Sequence, residues 1–278
     1  MSDSPLNTPL GTPLGTPFAA LHRRPGEPLL LPNAWDHASA AVLAEQGFPA
    51  IGTTSLGVAA AAGLPDGAAA TRAETLRLAR RLGRSGRCAV SVDVENGFSD
   101  DPGEVAALAV ELAEAGIVGI NLEDGRPDGT LTPAAVHSAK IVAIKDAAPA
   151  LFVNARTDTH WLAVPGAVEE TDRRLAAYEQ AGADGLFVPG LTDPAAIERL
   201  CGTVAGPLNI LFSPTGPGLA ELAALGVARV SLGSFLYRTA LAAAVSAALA
   251  VRDGVPTAAA AVDTPGYAAV QALYADGR

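Results

Sequence analysis

Leu112-Ala-Glu-Ala-Gly116-Ile-Val-Gly-Ile120 reads as a helical tail, a glycine suited to a left-handed cap, a short linker and an apolar strand. The same junction recurs as Leu43-Ala-Glu-Gln-Gly47-Phe-Pro-Ala-Ile51, Tyr178-Glu-Gln-Ala-Gly182-Ala-Asp-Gly-Leu186 and Leu222-Ala-Ala-Leu-Gly226-Val-Ala-Arg-Val230. Repeated helix-to-strand junctions of this form imply parallel strands joined by helical crossovers. Reading outward from them predicts strands near 28–33, 50–55, 88–95, 117–123, 150–157, 185–189, 207–212 and 228–233. Helices are predicted near 36–46, 71–85, 102–115, 132–147, 167–181, 193–204, 217–225, 235–252 and 265–275. Asp101-Pro102, Thr132-Pro133 and Asp193-Pro194 supply helix starts with proline in the first helical position. Eight β/α units in 278 residues point to an α/β fold of the (β/α)8 TIM-barrel type with additional C-terminal helices. An open doubly wound sheet is the alternative, but no Gly-x-Gly-x-x-Gly follows the first strand.

Composition narrows the function classes. The 19 basic and 29 acidic residues leave a net charge of −10, which argues against a nucleic-acid partner. Two distant cysteines imply neither a disulfide framework nor a zinc site and suit a reducing compartment. Cys88 and Cys201 are expected to be buried small hydrophobes. Residues 1–17, with a Thr-Pro-Leu-Gly repeat, read as a disordered or loosely packed leader rather than a signal peptide. Residues 18–278 read as a single barrel domain. The apolar run 240–251 is short for a bilayer and is flanked by Arg238 and Arg252. A cytoplasmic location is expected.

In a barrel, chemistry sits at the carboxyl ends of the strands. Val90, Val92 and Val94 alternate with Ser91, Asp93 and Glu95, so a continued strand puts Asp93 and Glu95 on one face. Two carboxylates about 4 Å apart repel by roughly 4 kcal/mol at an effective dielectric near 20. A proton, a cation or water must relieve that, and a solvated strand end is the plain alternative. The next strand ends in Asn121-Leu-Glu123-Asp124 and the one after it in Asn154-Ala-Arg156-Thr-Asp158. Three acids from adjacent strands facing an arginine suggest a divalent cation beside an anion clamp, with oxygen donors favouring Mg²⁺ or Mn²⁺. An internal salt-bridge network of Asp93, Glu95, Glu123 and Arg156 is the other reading.

Together these motifs resemble the isocitrate lyase/phosphoenolpyruvate mutase superfamily over almost all of the chain after the leader. Gly47-Phe-Pro-Ala-Ile-Gly-Thr-Thr-Ser55 resembles its second strand and Leu64-Pro-Asp66-Gly67 its gating loop. Asp93-Val-Glu95-Asn-Gly97 is similar to its D-x-D-x-G motif, with Glu for the second Asp. Leu122-Glu123-Asp124, Ala155-Arg156-Thr-Asp158 and Ala181-Gly-Ala-Asp184 are similar to its further motifs. The resemblance implies a barrel whose last helix exchanges between subunits, in a homodimer or homotetramer. It implies Mg²⁺ (or Mn²⁺) held by Asp93, Glu95 and Glu123, and a small 2-oxo or dicarboxylic acid gripped by Arg156 and the backbone of Thr54, Ser55 and Leu56. Asp66 would close over that acid, and Arg156, Asp66 and Glu123 would act on it.

The departures matter as much. The family's lyases carry a K-[KR]-C-G-H loop after the E-D motif, and its mutases a K-x-N loop. This chain has Gly125-Arg-Pro-Asp-Gly-Thr-Leu-Thr-Pro133 and neither motif. Pro189 stands where mutases place a histidine and methylcitrate-type lyases a glutamate. Stabilising the enolate of a 2-oxo acid needs no protein acid, so an oxaloacetate-type decarboxylase or a weak C–C lyase of 2-oxo or 2-hydroxy diacids is expected. The alternatives are a phosphonopyruvate- or carboxyphosphonoenolpyruvate-type enzyme and a catalytically degenerate binder of 2-oxo dicarboxylates. His160 is a candidate substrate contact, and Asn209, Ser213 and Thr215 are second-rank pocket residues. His22, His37 and His137 are expected at the surface, and Asp36 as a helix cap.

Overall fold

The computed structural model describes residues 18–255 and 264–274, so the reading of residues 1–17 lies outside the described residues. The chain opens with α1 (Phe18–Leu21), β1 (Leu29–Leu31), β2 (Asn33–Ala34), α2 (His37–Glu45), β3 (Ala50–Thr53), α3 (Ser55–Ala62) and α4 (Arg72–Ser85). It continues through β4 (Ala89–Asp93), α5 (Pro102–Glu114), β5 (Gly119–Glu123), α6 (Ala134–Ala147), β6 (Phe152–Arg156) and α7 (Ala167–Gln180). The remainder comprises β7 (Gly185–Val188), α8 (Pro194–Thr203), β8 (Leu208–Leu211), α9 (Leu219–Ala224), β9 (Arg229–Ser231), α10 (Phe235–Arg252) and α11 (Tyr267–Ala272).

All strand pairings are parallel, and the order runs β1-β9-β8-β7-β6-β5-β4-β3-β2. The first and last members, β1 and β2, are two halves of one strand broken at Pro32. Leu31 pairs with Ser231, and Asn33 with Gly52. Proline has no N–H for the ladder, but its carbonyl still accepts from Gly52 N at 2.8 Å. The sheet therefore closes on itself as the expected (β/α)8 barrel. The four junction glycines, Gly47, Gly116, Gly182 and Gly226, have φ of 83°, 88°, 94° and 88°, the left-handed conformation that the junction reading requires.

Predicted helix starts appear as drawn at Asp101, whose carboxylate accepts from Gly103 N at 2.7 Å and Glu104 N at 3.0 Å. Asp193 accepts from Ala196 N at 2.8 Å, and Asp36 from Ser39 N at 2.7 Å. Sequence reasoning missed α1 and α3. Ser55-Leu-Gly-Val-Ala-Ala-Ala-Ala62 is apolar almost all round and offers no 3.6-residue alternation.

Helix α1 plugs the amino-terminal end of the barrel. Phe18 and Leu21 pack with Leu29, Leu31, Ala50 and Phe152, and the Phe18 ring fills the space that a side chain at Gly119 would need. His22 stacks on Phe152 at 4.4 Å between ring centroids, and its Nδ1 lies 3.0 Å from Phe18 O. His22 is thus buried rather than superficial. His137, also expected at the surface, is fully buried against Tyr178 in α6, because that face of the helix turns inward onto α7. His37 is half-buried, with Nε2 3.2 Å from Leu273 O and its ring stacked on Tyr274.

Helix α10 is the one helix among the described residues long and apolar enough to cross a membrane, and of its residues only Tyr237 is buried. Leu241, Val245 and Leu249, four residues apart, form an exposed apolar stripe on it.

Candidate active site

The strand carboxyl ends surround a cavity of about 310 Å³. Asp93 of β4, Asn121 and Glu123 of β5, and Arg156 of β6 line it together with Asp66, Thr54, Ser55 and Leu56. The strand ladders set this convergence: Asp93 is registered with Asn121, and Glu123 with Arg156. Arg156 Nη1 lies 2.6 Å from Glu123 Oε2, and its Nε lies 2.6 Å from Asp158 Oδ1. Its guanidinium carbon stands 5.6 Å from the centre of the Phe187 ring.

Charge is crowded here. Burial pushes the Asp93 carboxyl above its usual range, Arg156 opposes that shift, and the nearby Asp66 adds to it. Glu123 is raised further, by burial first, with Arg156 opposing and Asp158, Asp93 and Asp66 reinforcing. Burial disfavours charge on Arg156 too, but Glu123, Asp158 and Asp93 outweigh it and hold the guanidinium protonated. Three carboxylates, Glu123, Asp158 and Asp93, thus share the Arg156 guanidinium, with Asp66 close by, a surplus of negative charge that favours a cation.

Beneath this layer lies an unusually polar barrel interior. Asn121 Oδ1 accepts from Asn154 Nδ2 at 2.9 Å and from Arg229 Nη2 at 3.0 Å. Arg229 is fully buried, and its pKa is brought down to about 9 by burial despite the attraction of Asp93. Its Nε and Nη1, both side-chain polar atoms of Asn209, and the hydroxyls of Ser91 and Ser231 lack protein partners. The sequence signal for Arg229 was a lone arginine inside an apolar strand.

A second buried network supports the rim. The carboxylate of Asp124 accepts from Asp158 N at 2.8 Å, Arg174 Nη1 at 2.8 Å and the Tyr178 hydroxyl at 2.6 Å. Asp124 thereby positions Asp158, which in turn orients Arg156.

Not every predicted residue joins the cavity. Glu95 is buried but does not line it. Its backbone turns to φ 50°, and its carboxylate accepts from Ala69 N at 2.9 Å and from the Thr71 hydroxyl. His160 is half-buried beside the cavity without lining it, its neighbour Trp161 taking that place. Asn209 lies deeper, inside the barrel, and Ser213 faces an adjoining depression with Arg238. Thr215 bonds with Ser213, hydroxyl to hydroxyl, at 3.2 Å. Sequence reasoning passed over Arg126, Trp161, Phe187 and Ser231, all of which line the cavity. The two cysteines are half-buried, and burial pushes both thiols up to about 11, which leaves them unsuited as acids.

Among the described residues no three His, Cys, Asp or Glu side chains form a group that could hold an ion. Asp93 and Glu123 nevertheless offer hard oxygens to one cavity, and Mg²⁺ is commonly held by one or two carboxylates with water completing its shell. The donor set fits the ion with two protein ligands.

The fold and this rim define a (β/α)8 barrel protein with its candidate site at the strand ends. Residues 18–252 match the phosphoenolpyruvate phosphomutase family, and the chain belongs to it, within the isocitrate lyase/PEP mutase superfamily. It is 46% identical over 237 residues to an uncharacterized protein of Mycobacterium tuberculosis, covering 85% of this chain and 89% of that one. It is 34% identical over 227 residues to the oxaloacetate decarboxylase of Pseudomonas aeruginosa PAO1, covering 76% of each. A solved Burkholderia cenocepacia structure, provisionally assigned as a lyase/mutase, superposes with a TM-score of 0.82. It is 39% identical, and the match covers 93% of this chain and 94% of that one.

Proposed function

We propose that this protein is a Mg²⁺- or Mn²⁺-dependent carbon–carbon lyase that stabilises the enolate of a small 2-oxo acid, acting as an oxaloacetate-type decarboxylase. The observation that carries the reading is the convergence of Asp93, Glu123 and Arg156 on one cavity with Asp66 at its rim. The 34% identity to an oxaloacetate decarboxylase supports it.

Each residue has a task in this scheme. Asp93 and Glu123 would hold the ion, which when bound would supply positive charge to the 2-oxo carbonyl. Arg156 orients the substrate carboxylate through its planar fork, and Asp158 keeps that fork aimed. The Leu56 amide at the start of α3 is a donor for the carboxylate or the developing enolate oxygen, while the Ser55 amide bonds to Asp93. Decarboxylation then moves the C–C bond pair into the enolate as CO₂ departs, and solvent protonates the carbon. Retro-aldol cleavage of a 2-hydroxy diacid also needs a base for the hydroxyl proton. Without a dedicated acid/base group it should run slower by ~10² to 10⁴.

The exposed stripe on α10 supports exchange of that helix in a homodimer or homotetramer, and sedimentation of the full chain tests this. A phosphonopyruvate-type reaction is the second reading. It is favoured by the phosphomutase family match and opposed by the missing K-x-N loop.

The deciding experiment titrates the protein with oxaloacetate, 2-oxoglutarate, isocitrate and phosphonopyruvate, with and without Mg²⁺, following binding heat and product together. Metal-dependent loss of oxaloacetate, abolished in Glu123→Gln and Arg156→Ala, is expected. Binding without turnover of any of these acids would make the protein a binder and refute the decarboxylase reading. Product from phosphonopyruvate alone would move it to the second.

A further inference from the structure

We infer that Glu95 is the latch of the loop that carries Asp66, a positioning residue rather than a third metal ligand. Its two carboxylate oxygens accept from the Ala69 amide and the Thr71 hydroxyl, at the far end of the loop from Asp66. Nothing else seen in this segment anchors it comparably: no residue from Gly63 to Ala70 is buried, whereas Glu95 and Thr71 are. Both bonded backbones adopt the left-handed region without being glycine, Glu95 at φ 50° and Ala69 at φ 56°. Strain of this kind persists only where surrounding contacts over-determine the conformation. The two residues meet in one hydrogen bond, so each accounts for the other's geometry.

The side-chain length fits the task. An aspartate, as in the D-x-D pattern, is one methylene shorter and falls short of Ala69 from the same backbone position. The glutamate here spends both oxygens on the loop and leaves Asp93 and Glu123 to face the cavity. The inference rests on the proposed function only for its consequence, that the latch fixes where Asp66 sits over a bound acid.

The test combines amide exchange of the full chain with Mn²⁺ titration, using Glu95→Gln, Glu95→Asp and Thr71→Val. A glutamine can still accept from Ala69 N through its oxygen and donate to the Thr71 hydroxyl through its amide nitrogen, so it should raise exchange across residues 64–71 by only about twofold, whereas an aspartate reaches neither partner and should raise it about tenfold. Thr71→Val, which leaves the carboxylate in place, should give a smaller rise and decides the matter if the Glu95 variants fail to fold. Mn²⁺ affinity should stay within about twofold of the parent. Unchanged exchange of the Ala69 amide in Glu95→Asp, or a tenfold weaker Mn²⁺ affinity in Glu95→Gln, overturns the latch. Failure of the parent protein to bind Mn²⁺ refutes the proposed function instead, and exchange alone then decides the latch.

Discussion

Replacing Arg156 by Gln should expose how the site balances its charge. The guanidinium is the partner of Glu123 and Asp158, each at 2.6 Å, and is the attraction that opposes the upward shift of Asp93. Breaking a buried pair by removing one member typically costs about 3–5 kcal/mol, since the other charge is left uncompensated. Protonation caps that cost. Glu123 already stands well above its ordinary value of 4.5 in the parent, so losing Arg156 costs only the further part of that shift, at about 1.4 kcal/mol per pH unit. Its folded pKa then lies above its unfolded one, so the folded state holds the extra proton. The penalty therefore grows as pH rises above about 4.5 and shrinks as pH falls. Urea unfolding of parent and variant at pH 5, 6, 7 and 8 measures this directly. We expect a destabilisation of about 1–3 kcal/mol at pH 7 that narrows toward pH 5. A loss under about 1 kcal/mol, or one that does not vary with pH, would falsify the assignment of Arg156 as the direct counter-charge of Glu123 and Asp158.

His137, fully buried with a pKa lowered to about 4 chiefly by burial, should make the protein acid-sensitive. Its folded value lies below its unfolded one, so its contribution is intact above pH 6.5 and drains away toward pH 4, by up to about 3 kcal/mol. His137→Leu should flatten the stability difference over that window, and parallel curves for the two proteins would count against the idea. Gly83 in α4 has no room for a methyl group, since a Cβ there would come within 1.7 Å of Ala115 O at the end of α5. Gly83→Ala gains about 1 kcal/mol of helix propensity but forces two helices apart. A net loss of about 2 kcal/mol in urea unfolding is expected, and a neutral result would mean the helices separate freely.

What could be read from the sequence, and what could not, divides along a physical line. The junction glycines were legible because each satisfies a single-residue backbone requirement that few other side chains meet, and their φ values bear this out. Asn121, Glu123, Asn154 and Arg156 could be placed because their strands run through them, so the period of two holds to the last residue. Glu95 broke that rule. Strand β4 ends at Asp93, and two residues later the chain turns left-handed, so the face inferred from alternation no longer applies. His160 and Ser213 also lie beyond their last ladder residues, Arg156 and Leu211, and both stand outside the cavity. Ser55 and Leu56 lie past a strand end as well, yet they face the cavity because α3 begins there and fixes them. Asn209 and Arg229 show the opposite difficulty. Alternation correctly turns them inward, but it carries no information about depth, and both lie in the barrel interior below the cavity floor. Direction can be extrapolated along a strand as far as its ladder extends. Depth depends on how the whole sheet closes, and a side chain beyond the ladder points where its tertiary partners hold it, as Ala69 and Thr71 hold Glu95.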